Sequence, residues 1–166
     1  MKVIFLDIDG VLATSKEFFR NTGKFWEKNP AMAELKVPYP WNEECVEILN
    51  DILDKTNAVI VLSSDWKLHW SIDDLKGIFT WNKVKKYPIA VTVRDMFAEP
   101  ELEKERVYEI MDYVRSMNIE NYIVIDDMNL GQFMDDKSKF VRTISGQGLK
   151  QTGLKEKIIK KLNNDQ

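Results

Sequence analysis

The sequence predicts an α/β fold, a central and mostly parallel sheet with helices on both faces. Short runs that are apolar almost throughout, KVIFL at 2–6, AVIVL at 58–62 and YIVI at 122–125, alternate with segments of helical periodicity. Strands that are apolar on both sides need cover on both faces, and intervening helices supply it with parallel pairing. Each of these runs also stops at a cluster of acids or hydroxyls: Asp7-Ile8-Asp9-Gly10, Ser63-Ser64-Asp65 and Asp126-Asp127. Right-handed crossovers bring the C-terminal ends of parallel strands to one edge. That edge is where open α/β sheets bind ligands.

Residues 2–6 are β-branched and aromatic and read as a buried strand. Between 13 and 41 the pattern is irregular, with Pro30, Pro38 and Pro40 among Phe18, Phe19, Phe25, Trp26, Tyr39 and Trp41. This stretch reads as a small cap inserted over the strand ends. Asn42 can cap a helix over 42–54, whose apolar positions Val46, Leu49 and Leu53 share a face with Cys45. A strand at 58–62 comes next, then a short helix at 67–78 and a weaker strand at 89–93 after Pro88. The longest helical pattern is 101–117, with Leu102, Val107, Ile110, Met111 and Val114 apolar. After the strand at 122–125 come an edge strand at 140–144, a loop punctuated by Gly146 and Gly148, and an amphipathic helix at 154–163.

A chain of 166 residues suits one domain, 1–166, large enough to bury a core. Hydrophobic residues are 44% of it, which argues against disorder. No apolar run approaches the ~20 residues of a membrane span. Asp7 and Asp9 interrupt the first apolar run before a signal-peptide core is complete. The net charge of −3 provides no global basic field for nucleic acid, and Lys83, Lys85 and Lys86 read as a solvated face. The single cysteine, Cys45, has no disulfide partner in the chain, and no Cys/His zinc spacing exists. A cytoplasmic setting is expected. His69, the only histidine, reads as a surface or boundary residue.

Two carboxylates in Asp7-x-Asp9, just past a strand, repel one another unless a cation lies between them. Mg²⁺, a hard cation with oxygen ligands, is the natural one. Ser63 and Ser64 at a strand-to-helix turn can hold a phosphate oxygen. Asp126 and Asp127 add negative charge at the same edge. Singly, each cluster also reads as a turn, a helix cap or the start of a loop. Together they make one site.

These motifs resemble the haloacid dehalogenase (HAD) superfamily. Its first motif, Asp-x-Asp-Gly-[Val/Thr], matches Asp7-Ile8-Asp9-Gly10-Val11. Its second, an apolar strand ending in Ser or Thr, matches Val59 to Ser63. Its fourth, an apolar strand ending in Asp-Asp, matches Ile123 to Asp127. The third, a basic residue at a helix start, matches Arg106, with Lys104 as competitor. Ser63-Ser64-Asp65-Trp66-Lys67, Arg-x-x-Glu-Ile and Gly148-Leu149 resemble small HAD-like domains associated with nucleic-acid end repair.

The resemblance implies a Rossmann-like HAD fold and a Mg²⁺-dependent hydrolase, a phosphatase acting through an aspartyl-phosphate. Asp7 would be the nucleophile and Asp9 the general acid and base. Metal ligation would fall to Asp7, Asp126 and the Asp9 backbone carbonyl, with Asp127 orienting the shell. Ser63, Ser64 and Arg106 would bind phosphate, and Trp66 and Lys67 would rim the site. The expected substrate is a nucleotide or polynucleotide phosphate, a 3′-phosphate end included, with no membrane and no obligate protein partner. Two other readings stand beside it: a small-metabolite phosphatase on sugar phosphates or free nucleotides, and a non-catalytic phosphate-binding module.

Overall fold

The computed structural model of the chain describes residues 1–18, 22–93 and 101–163. Strand β1 (Lys2–Leu6) leads into three short helices, α1 (Ser15–Phe18), α2 (Thr22–Lys28) and α3 (Pro30–Glu34). Helix α4 (Glu43–Thr56) and strand β2 (Val59–Leu62) come next, then a 3-10 turn at Asp65–Leu68 and helix α5 (Ile72–Trp81). Strand β3 (Pro88–Val91), helix α6 (Leu102–Ser116), strand β4 (Asn121–Asp126), strand β5 (Phe140–Arg142) and helix α7 (Leu154–Asn163) complete the order.

Among the described residues, five strands form one sheet in the order β3-β2-β1-β4-β5, and every pairing is parallel. β1 therefore lies in the middle, between β2 and β4. Its side chains alternate between two cores. Ile4 and Leu6 join the core of α4, α5 and α7, whereas Val3 and Phe5 join that of α6. This is the covered parallel sheet that the apolar strands call for.

The elements differ from expectation in local details, the strand expected at 89–93 being observed at Pro88–Val91. The helix expected at 67–78 is instead a 3-10 turn and α5, because two serines each cap a separate start. Ser64 accepts from Trp66 N, and Ser71 forms a capping box with Asp74. The expected insertion at 13–41 contains α1, α2 and α3, and residues 19–21, with Phe19, lie outside the described residues. The edge strand stops at Arg142 rather than at residue 144, because the Thr143 hydroxyl donates to Gly10 O at 2.8 Å and Ile144 turns outward, 58% exposed. Asn42 caps α4 as expected, accepting from Cys45 N at 3.2 Å. Gly148 has φ +58, and a Cβ there would overlap Val11 O, so only glycine allows the 3-10 turn Gly148–Lys150 to close on the loop after β1. Among the described residues no helix is long and apolar enough to cross a membrane.

Candidate active site

Strand register assembles the site. Leu6 pairs with Leu62 on one side and with Ile125 on the other. The ladder runs one residue further, with Asp7 N donating to Ile125 O and Ser63 N donating to Leu6 O, both at 3.0 Å. Asp7, Ser63 and Asp126 are thereby neighbours at the C-terminal edge. Alternation sets their side: Val3, Phe5, Val61 and Val124 all join the core of α6, so Asp7, Ser63 and Asp126 continue towards that helix. The same helix buries Arg106 and Glu109.

Arg106 is the hub. Its Nη1 lies 3.2 Å from Asp7 Oδ1 and 3.0 Å from Asp126 Oδ2, and its Nη2 lies 2.8 Å from Asp65 Oδ1. Burial works against the guanidinium's charge, but Asp7, Asp126 and Asp65 outweigh it and hold its pKa above the ordinary value. Asp7, Asp126 and Asp127 each place a carboxylate oxygen within 4.8 Å of the other two. Burial raises the pKa of all three, and for Asp7 the charge of Asp126 adds to it. One guanidinium does not compensate this much buried negative charge. The donors are all carboxylate oxygens, with no His or Cys, and that set suits a hard divalent cation.

The supports of the cluster are specific. The Ser64 hydroxyl hydrogen-bonds the Asp7 carboxylate, Asp126 Oδ1 accepts from Met128 N at 2.9 Å, and Asp127 is hydrogen-bonded by Ser145. Gly10 has φ +75, and a Cβ there would overlap the Asp127 carboxylate. Ser63 Oγ is buried with no hydrogen-bond partner among the described residues, a hydroxyl at full desolvation cost until something polar meets it.

Asp9 is held apart from the other three. Its Oδ1 accepts from Tyr39 OH at 2.6 Å and its Oδ2 from Trp66 Nε1 at 3.1 Å. Burial and the bond to Asp9 raise the Tyr39 pKa above its ordinary value. The carboxylate is thus fixed on the wall of a cavity also lined by Lys36, His69 and Trp70.

The structure brings together Asp7, Ser63, Ser64, Arg106, Asp126 and Asp127. Lys104 instead lines a depression with Tyr108, Met111 and Arg115. Two expectations are corrected. Trp66 is 3% exposed and forms a buried wall rather than an open rim, because its indole N–H is committed to Asp9 and its ring packs on Trp41 and Trp70. Lys67 turns inward, its ammonium bonded to Ser63 O at 3.0 Å and to Glu109 Oε2 at 2.7 Å. A lysine beside a buried carboxylate stays there, since separating them strands both charges.

Sequence reasoning misses Tyr39, Asp65, Glu109 and Ser145 as site residues. Glu109 carries a usable signal, since it lies one helical turn after Arg106 and shares its face. Tyr39 carries none beyond being one aromatic of the insertion.

A model of the family described as "HAD domain in Swiss Army Knife RNA repair proteins" matches residues 3–154. Neither a curated protein nor a solved structure matches the chain.

Proposed function

The chain belongs to the family of HAD domains in Swiss Army Knife RNA repair proteins, and on that basis we propose that it is a Mg²⁺-dependent phosphomonoester hydrolase acting on nucleotide or polynucleotide phosphates, 3′-phosphate ends included. Membership of the HAD family implies phosphatase-type chemistry. The observation that carries the reading to this chain is the placement of Asp7, which lies against the Arg106 guanidinium and beside Asp126 at the sheet edge.

In this mechanism Asp7 attacks phosphorus through a carboxylate oxygen. The bond from phosphorus to the leaving oxygen breaks, and Asp9 delivers a proton to that oxygen. An aspartyl-phosphate remains on Asp7. Asp9 then takes a proton from water, which attacks the phosphorus, frees phosphate and restores Asp7. Tyr39 and Trp66 hold the Asp9 carboxylate in position for both transfers. Arg106 presents its charge to the phosphoryl oxygens, and the Ser63 hydroxyl has no competing partner to give up. Mg²⁺, held by Asp7, Asp126 and Asp127, would supply positive charge that offsets repulsion between Asp7 and the phosphate. A reducing, cytoplasmic setting suits the lone buried Cys45.

The test is a panel with Mg²⁺: 3′- and 5′-phosphorylated oligonucleotides, mononucleotides and sugar phosphates. Phosphorylated nucleic-acid ends are expected to have the highest kcat/KM. Higher values for sugar phosphates would replace this reading with a small-metabolite phosphatase, and no turnover of any substrate would leave a phosphate-binding module. On the best substrate, Arg106→Ala is expected to lower kcat/KM by about 10²–10³-fold, the scale for losing a charge-stabilising donor at a transition state. Lys104→Ala is expected to act mildly, because that side chain lies in a different depression. Comparable effects of the two would remove Arg106 from the phosphate site.

A further inference from the structure

The space beside Asp9 has a defined use if Asp9 is the acid. A general acid sits within hydrogen-bond reach of the oxygen it protonates, so whatever that oxygen carries fills the cavity opening from Asp9. The cavity is about 510 Å³, inside the ~300–1,000 Å³ range of small-ligand sites.

Its wall is a run of rings. Tyr39 and Trp66 have centroids 6.1 Å apart, Trp66 and Trp70 4.8 Å, and Trp70 and His69 5.6 Å. Three of these rings have their donors already used, which leaves only the His69 imidazole. Tyr39 OH and Trp66 Nε1 donate to Asp9, and Trp70 Nε1 donates to Leu35 O at 2.8 Å. A sugar whose hydroxyls entered this space would meet few free partners on the rings, with polar groups besides Asp9 confined to Asp65 and Lys36 at other points of the lining, and hydroxyls turned to the rings would be desolvated at a cost. A flat, weakly hydrated ring would lose little and gain stacking.

We propose that this pocket binds the nucleobase of the nucleotide whose phosphate is removed, stacked on Trp70 with His69 at its edge; the proposal rests on the phosphatase reading above. Trp70 is half-buried and anchored by its bond to Leu35 O and its packing on Trp66, while His69 is exposed. Lys36, exposed on the same cavity, supplies positive charge for the adjoining backbone phosphate of a polymer. Trp66 serves this site from behind, by backing Trp70 and orienting Asp9.

The experiment compares two 3′-phosphorylated oligonucleotides, alike except that one carries its terminal base and the other is abasic there. The base-bearing substrate is expected to have about tenfold higher kcat/KM or more, the scale of one aromatic–base stack. Trp70→Ala should bring that ratio towards one, Trp70→Phe should keep most of it, and His69→Ala should lower it in part. His69→Ala, at an exposed position, carries the test if Trp70→Ala does not fold. A ratio near one in the wild type overturns the proposal, as does a ratio that neither alanine variant changes. If neither oligonucleotide is hydrolysed, the phosphatase reading fails, yet the pocket is still decided by quenching of tryptophan fluorescence on titration. Tighter binding of the base-bearing oligonucleotide, lost in the variants, upholds it; equal affinity for the two overturns it.

Discussion

Asp7→Asn is expected to lower turnover by about 10⁴–10⁶-fold, the range seen when a covalent nucleophile is removed. Asparagine keeps the shape but has no carboxylate oxygen with which to form the phosphoester. The fold should survive the change. Asp7 is one of three clustered acids with pKa values raised first by burial, so removing its charge relieves the cost of burying it and, second, its repulsion with Asp126, and Arg106 keeps Asp126 and Asp65 as partners. The variant should therefore melt no lower than wild type. Beryllium fluoride, a phosphoryl mimic, should form its adduct on Asp7 in the wild type. An adduct on Ser63, or an Asp7→Asn enzyme with near-normal kcat, would overturn the covalent mechanism.

Metal removal is expected to have the second large effect. EDTA should abolish hydrolysis of any phosphomonoester that the protein accepts, and Mg²⁺ should restore it. A separate readout does not depend on turnover. A cation that binds only the folded chain stabilises it by RT ln(1 + [L]/Kd), about 2.7 kcal/mol at a hundredfold excess over Kd. Mg²⁺ should therefore raise the Tm, and Asp126→Asn should diminish that rise. Full activity in EDTA, together with a Tm indifferent to Mg²⁺, would leave the three carboxylates without their cation and the metal assignment without support.

Much of the site is legible in the sequence because a parallel sheet converts sequence into position. Once residues 2–6, 58–62 and 122–125 are read as neighbouring parallel strands, the residues just past their C-terminal ends must meet at a single edge. Asp7, Ser63 and Asp126 do so, joined by ladder bonds that continue past the strand ends. Arg106 is reached through the resemblance, as the basic residue at a helix start with Lys104 as competitor, and it lies on the buried face of α6 with Val107, Ile110 and Val114. Side-chain direction in irregular segments is not readable. Trp66 and Lys67 come after Ser64 in a 3-10 turn, where neither the two-residue period of a strand nor the period of an α-helix applies. Both turn inward, each drawn by an acid distant in the chain: Asp9 for the indole and Glu109 for the ammonium.

The sequence by itself determined the fold class, the strand edge and the acids gathered there, because apolar runs and their polar ends are local signals with fixed geometric consequences. Only the tertiary structure decided which partners the groups at that edge take. Tyr39 reaches Asp9 across 30 positions of sequence, Asp65 reaches Arg106 across 41, and Thr143 reaches Gly10 across 133. No local period links such residues. Their meeting depends on how segments distant in the chain settle on the strand ends, and for the stretch that holds Tyr39 and Trp41 the packing of large rings on Trp66 and Phe79 contributes to that arrangement.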